Sequence, residues 1–180
     1  MNLPNKLTML RMLLTPVFVV LILLYEKYWW MNYPAIIVFI AASLTDLFDG
    51  KLARRYGLVT NFGKFADPLA DKLLVVSALI CLAYLRMIPV WAVLVITARE
   101  FIISGFRLVA AEQGLVLAAS KIAKVKTTVQ MIMINLVMLD IKADWYRIIC
   151  LILVIIAVIL TLVSLADYLI KNKSVLSGSI

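Results

Sequence analysis

The chain has 180 residues, of which 65% are hydrophobic and only 16% are charged, and its formal net charge is +8. A water-soluble domain of this length is nearer to half apolar, so this chain needs lipid as the solvent for much of its surface. The sequence contains no histidine. That excludes Ser-His-Asp triads, Cys-His dyads and histidine-ligated metals, and leaves a carboxylate, Lys, Tyr or Cys as the general base of any enzyme.

Six apolar stretches follow one another along the chain, each long enough to cross a bilayer as a helix. They are residues 7–25, 33–55, 66–85, 88–110, 122–140 and 146–170. No linker, low-complexity tract or internal repeat separates them, so we expect a single membrane domain over residues 1–180. The predicted fold class is an all-α integral membrane protein with six transmembrane helices and a short N-terminal interfacial amphipathic segment.

The distribution of basic residues predicts the topology. Six spans put both termini on one side of the membrane. If that side is the cytoplasm, most of the 18 basic residues lie in cytoplasmic segments, as the positive-inside rule requires. The exceptions are Lys27, Arg86, Lys142 and Arg147. The positive charge therefore indicates topology and contact with anionic lipid or substrate, not nucleic acid, for which the chain lacks a basic soluble domain.

Four aspartates lie at the predicted cytoplasmic ends of the second and third helices. Residues three or four apart share a helix face, so Asp46 and Asp49 form one pair, Asp67 and Asp71 form another, and a short turn lets the pairs meet. Four carboxylates at one point repel each other strongly without a counter-charge. An oxygen-only ligand set favours one or two ions of Mg²⁺ or Mn²⁺, and paired hard metals suit phosphoryl transfer.

Two other interpretations compete with this one. A single aspartate at a helix end is commonly a solvated terminus, and Asp67 before Pro68 fits an N-cap. That reading does not explain all four aspartates together with small residues and an arginine at fixed spacing. The second alternative is a small divalent-cation transporter, which would place its acids near the bilayer midplane facing a pore. Here they cluster at one interface beside basic residues.

The spacing of these residues resembles the signature of the CDP-alcohol phosphotransferase family. The matching string is Asp46-x2-Asp49-Gly50-x2-Ala53-Arg54-x8-Gly63-x3-Asp67-x3-Asp71. The resemblance implies a six-helix membrane fold, a two-ion Mg²⁺ or Mn²⁺ site on the four aspartates, Asp71 as general base, and a homodimer. It implies donor contacts from Gly50, Arg54 and Thr60, and the small side chain of Ala53 leaves further room for the donor.

The N-terminal residues carry a second resemblance. The string Pro4-Asn5-x-Leu7-Thr8-x2-Arg11 is similar to the opening of bacterial phosphatidylglycerophosphate synthases, a group within that family. An ordinary positive anchor would explain Lys6 and Arg11 but not Asn5 and Thr8. We therefore expect Asn5 and Thr8 to line the site of the donor, CDP-diacylglycerol. The resemblance also places the protein in a bacterial plasma membrane with its active site facing the cytoplasm.

A second basic cluster points to the acceptor. Its candidate residues for binding the acceptor phosphate are Arg99, Arg107, Lys124 and Lys126. The same group of synthases has an Arg-Glu pair and a Gly-Lys-x-Lys-Thr stretch, although Ala123 replaces the glycine here. A cationic pocket suits an acceptor that carries its own phosphate, such as glycerol 3-phosphate, and not choline or serine. A transferase of the cardiolipin synthase or phosphatidylinositol-phosphate synthase type is the alternative within the same chemistry.

Overall fold

The computed structural model describes residues 3–56, 61–112, 115 and 120–172, and the regular structure in these ranges is helical. Six α-helices follow in chain order: α1 (Leu3–Leu23), α2 (Asn32–Tyr56), α3 (Asn61–Tyr84), α4 (Val90–Glu112), α5 (Lys121–Leu139) and α6 (Asp144–Lys171). Short 3₁₀ turns at Leu24–Glu26 and Trp29–Met31 join α1 to α2. The prediction of an all-α membrane protein built from six helices is confirmed.

Within the described ranges, three helical segments are long and apolar enough to cross a membrane. They are Asn5–Glu26, Ile122–Leu139 and Asp144–Lys171, and the apolar helical portions Trp29–Thr45 and Lys72–Tyr84 are shorter. In α4, charged residues interrupt the apolar sequence near its middle. A crossing by all six helices, and the cytoplasmic location of both termini, stay predictions.

The first helix begins earlier than the predicted apolar stretch. α1 begins at Leu3 and runs without interruption to Leu23, so the opening residues form its first turns. The physical reason is that Pro4 lies in the first helical turn, where its missing N–H costs no intrahelical hydrogen bond. The polar residues after it therefore continue the helix. The location of the opening residues at the membrane interface stays a prediction.

Contacts divide the chain into two compact units, Met1–Met87 and Ile88–Ile180. In the first unit, α1 packs against both α2 and α3, and the rings of Phe18 and Phe39 lie 5.4 Å apart between centroids. In the second unit, α4 and α5 both pack against α6. The organisation of residues 1–180 as a single domain stays a prediction.

Small buried side chains on α6 let its neighbours approach closely. Ala157, Thr161 and Ser164 are fully buried and recur every three or four residues, so they share one helix face. Small residues at such spacing are typical of closely packed membrane helices, because they let backbones come together without steric conflict. Tyr168 closes this face near the end of α6 and packs edge-on against Phe106 of α4, with 5.7 Å between ring centroids.

Candidate functional site

The four predicted aspartates lie on two helices of the first unit. Asp46 and Asp49 lie in the C-terminal half of α2, Asp67 and Asp71 in the N-terminal half of α3, and the two helices contact each other. Within each pair the positions are about one helical turn apart. The side chains of these aspartates, and those of Gly50, Ala53 and Arg54, lie outside the described part of the structure, as does Thr60 altogether. Metal and donor contacts there stay predictions.

A polar stripe occupies the N-terminal half of the buried face of α1. Asn5, Thr8 and Arg11 are all buried, and Arg11 has no exposed surface. Thr15 continues the stripe and donates a hydrogen bond from its Oγ1 to the Arg11 carbonyl at 3.0 Å. Towards the C-terminus the same face becomes apolar and begins with Phe18. The two donor-site candidates Asn5 and Thr8 therefore share one inward face of α1.

Arg11 is a functional candidate that was not among the predicted site residues, although it belongs to the N-terminal string of the resemblance. A positive N-terminal anchor is expected to be solvated, and Lys6 is exposed in this way. Arg11 instead lies on the face that α1 buries within the first unit, and an arginine within a membrane helix usually marks a functional position. The spacing of three residues from Asn5 to Thr8 to Arg11 is the pattern that could have indicated this shared face.

The second unit contains a buried ionic cluster formed by Arg99 and Glu100 of α4, Lys126 of α5 and Ser164 of α6, here called the Glu100 cluster. Glu100 Oε1 accepts hydrogen bonds from Arg99 Nη1, at 3.3 Å, and from Lys126 Nζ. Arg99 Nη2 donates to Ser164 Oγ at 2.7 Å. The cluster thus joins three helices through one carboxylate and one hydroxyl.

Both cations of the Glu100 cluster lie on the buried stripes of their helices. Arg99 follows Ile96 and precedes Ile103 at helical spacing, and only 6% of its surface is exposed. Lys126 lies three residues after the buried Ala123 and is 1% exposed. Charged side chains are costly in such positions unless they are paired. Arg99 interrupts an otherwise apolar stripe of α4.

Cations outnumber carboxylates among the printed partners within the Glu100 cluster. Arg99 and Lys126 share the one carboxylate of Glu100 in a region of low dielectric constant. Within the described part of the chain, Arg99 Nε has no hydrogen-bond partner. A second buried polar group, Gln130, lies one turn after Lys126 on the same stripe and is 2% exposed. The Glu100 cluster therefore brings two cations and further polar groups together in a buried position.

The other two predicted acceptor residues lie apart from the Glu100 cluster. Arg107 is exposed on α4, roughly 12 Å along the helix from Arg99. Its Nε donates to the Tyr168 hydroxyl at 3.3 Å, and its guanidinium lies 5.6 Å from the centroid of that ring. Lys124 is exposed on α5. The structure thus brings Arg99 and Lys126 together, and adds Glu100 and Ser164, which were not among the predicted site residues.

Aspartates on two helices that contact each other, and a buried group of cations, are features expected of a membrane enzyme that acts on phosphorylated substrates. The sequence profile of the CDP-alcohol phosphatidyltransferase family matches residues 1–167. The chain belongs to this family, and it is an enzyme of that family. The resemblance that the aspartate spacing indicated is confirmed.

Several bacterial relatives are similar over most of the chain. A CDP-diacylglycerol–glycerol-3-phosphate 3-phosphatidyltransferase of Bacillus subtilis (strain 168) is 45% identical over 150 residues, which cover 77% of this chain and 77% of the relative. A probable phosphatidylglycerophosphate synthase of Mycobacterium tuberculosis (strain H37Rv) is 38% identical over 98% of this chain and 84% of the relative. A CDP-diacylglycerol–glycerol-3-phosphate 3-phosphatidyltransferase of Shigella flexneri (serotype 5b) is 39% identical over 93% of this chain and 93% of the relative.

Proposed function

We propose that the protein transfers the phosphatidyl group of CDP-diacylglycerol to glycerol 3-phosphate, giving phosphatidylglycerophosphate and CMP in phospholipid biosynthesis. The observation that carries this proposal is the pair of buried cations, Arg99 and Lys126, that the Glu100 cluster holds together in a member of this family. Such a pair complements an acceptor with its own phosphate, and the names of the relatives specify the same acceptor. An alcohol acceptor without a phosphate would gain nothing from it.

The donor set of the four aspartates fits a divalent metal. Asp46, Asp49, Asp67 and Asp71 offer only carboxylate oxygens, and Mg²⁺ and Mn²⁺ prefer oxygen ligands. When bound, two such ions would neutralise the donor diphosphate and the charge that develops on the leaving phosphate. The aspartates would in turn be held close together without mutual repulsion.

The remaining roles follow from the chemistry of phosphoryl transfer. Asp71 accepts the proton from the primary hydroxyl of glycerol 3-phosphate as that oxygen bonds to the β-phosphorus of the donor. The bond from the β-phosphorus to the bridging oxygen breaks, and CMP leaves with both electrons of that bond. Arg54 would stabilise the negative charge of the leaving CMP, and the acyl chains of the donor would stay in the lipid. The residues that bind the donor in this proposal are Asn5, Thr8, Gly50, Ala53, Arg54 and Thr60.

The acceptor can be tested with purified protein in detergent. CDP-diacylglycerol is supplied with glycerol 3-phosphate, inositol phosphate, phosphatidylglycerol, choline or serine, and CMP release is measured. We expect release to depend on glycerol 3-phosphate, with at least roughly a hundredfold preference over choline and serine, since these cannot use the cationic cluster. A response to phosphatidylglycerol or inositol phosphate, without one to glycerol 3-phosphate, would point instead to the cardiolipin synthase or phosphatidylinositol-phosphate synthase type.

Removal of divalent metal is expected to abolish CMP release. Incubation with EDTA should reduce the rate below detection, because the diphosphate would then meet four uncompensated carboxylates. Readdition of Mg²⁺ or Mn²⁺ should restore it, whereas Ca²⁺, with longer and more flexible coordination, should restore much less. Full activity in the chelator would contradict the metal assignment.

The membrane arrangement is part of the proposal. We expect a homodimer in the bacterial plasma membrane, with both termini and the active site on the cytoplasmic side, where CDP-linked donors and soluble phosphate esters are available. The distribution of basic residues supports this orientation.

A further inference from the structure

Glu100 holds together two buried cations that come from different helices. Its Oε1 accepts hydrogen bonds from Arg99 Nη1 and from Lys126 Nζ. Since both cations are more than nine-tenths buried, bulk water solvates neither of them. Without the carboxylate, a guanidinium and an ammonium would face each other in a medium of low dielectric constant. Glu100 is therefore the group that allows the pair to stay charged and close together.

Ser164 supplies a second attachment for the same guanidinium. Arg99 Nη2 donates to Ser164 Oγ at 2.7 Å, and both residues are buried. Two of the three guanidinium nitrogens of Arg99 are thus fixed, one by a neighbour on α4 and one by a residue on α6. A side chain that is already fixed loses less conformational freedom when a ligand binds to it.

We propose that Glu100 and Ser164 are positioning residues for the phosphate of the acceptor. Glu100 keeps Lys126 and Arg99 charged and side by side, and Ser164 fixes the orientation of Arg99. The ligand class is a small alcohol that carries a phosphate monoester, whose negative charge complements the two buried cations of the cluster. The inference rests on the proposed reaction with glycerol 3-phosphate, and neither residue contacts the reacting atoms.

The test compares substitutions at both positions by steady-state kinetics, with each substrate varied in turn. Ser164→Ala is expected to raise the KM for glycerol 3-phosphate about three- to tenfold, and Glu100→Gln more than about tenfold. The KM for CDP-diacylglycerol and the kcat of Ser164→Ala should change by less than about twofold, because the donor binds elsewhere. Glu100→Asp keeps the charge and should recover part of the loss that Glu100→Gln causes.

Thr161→Val is the matched control for Ser164→Ala. Thr161 is a fully buried hydroxyl one turn earlier on α6, and its Oγ1 donates to the Ala157 carbonyl of its own helix at 2.7 Å. Its replacement by a side chain of the same shape tests the general cost of removing a buried hydroxyl from α6. The KM for glycerol 3-phosphate should not change in this variant.

The outcomes separate the inference from the proposed reaction. An unchanged acceptor KM in Ser164→Ala, or an equal rise in Thr161→Val, would overturn the positioning role while the proposed reaction stands. If Glu100→Gln does not accumulate as folded protein, Ser164→Ala decides alone. Wild-type CMP release that does not respond to glycerol 3-phosphate would overturn the proposed reaction and the inference with it.

Discussion

Asp71→Asn is expected to lower the rate of CMP release by about a hundred- to ten-thousandfold, the range that a positioned general base contributes. Asparagine has the size of aspartate and one carbonyl oxygen, but it cannot take up the proton of the acceptor hydroxyl. It also removes one negative charge from the proposed metal site, which lowers the affinity for a divalent ion. The measurement is the initial rate at saturating CDP-diacylglycerol and glycerol 3-phosphate.

Asp140→Asn is the matched control. Asp140 ends α5 with a φ of 43°, a left-handed conformation that asparagine also tolerates, and its carboxylate pairs with Lys142. The same chemical change at this position should leave the rate within about twofold, since an exposed ion pair contributes little. An Asp71→Asn protein that kept more than about a tenth of wild-type activity would contradict the assignment of Asp71 as the base.

Lys126→Met is expected to raise the KM for glycerol 3-phosphate about ten- to a hundredfold. A charged hydrogen bond contributes about 1.5–3 kcal/mol, and about 1.4 kcal/mol corresponds to a factor of ten. The substitution keeps the length of the side chain but removes one positive charge from the Glu100 cluster, with Arg99 still paired to Glu100. The KM for CDP-diacylglycerol should stay nearly constant, which separates acceptor binding from a general loss of activity.

Lys142→Met provides the control for that experiment. Lys142 also pairs with a carboxylate, that of Asp140, but 66% of its side chain is exposed and it lies just beyond the other end of α5. Roughly 21 Å along the helix axis separates residues 126 and 140, so the acceptor KM should not change. Equal effects of Lys126→Met on both substrates, or no effect on either, would contradict the acceptor role of the cluster.

The approximate positions of the helices were predictable from the sequence because long apolar stretches indicate them. The predicted stretch 122–140 became Lys121–Leu139, and 146–170 became Asp144–Lys171. The larger errors are at the starts of α1 and α3, which begin at Leu3 and Asn61 instead of residues 7 and 66. Polar residues occupy both starts, so a search for apolar runs finds the helices only after several residues. Helix formation depends on backbone hydrogen bonds as well as on hydropathy.

The basic site was predictable in composition but not in geometry. Lys124 and Lys126 are two residues apart and look equivalent in the sequence, yet about 200° of rotation separates them on α5. One is exposed and the other is 1% exposed. The partners of the buried residues are distant in the chain, since Arg99 reaches Ser164 on α6. Such pairings depend on tertiary packing, which composition and spacing do not contain.

The most direct test of the account follows the acceptor itself. Purified protein receives CDP-diacylglycerol, Mg²⁺ and radiolabelled glycerol 3-phosphate, and both CMP and the label extracted into organic solvent are measured. We predict one labelled lipid molecule for each CMP released, with the label in phosphatidylglycerophosphate, and loss of both products together in Asp71→Asn. CMP release without label in the lipid, or labelled lipid formed at the wild-type rate by Asp71→Asn, would contradict the proposed transfer.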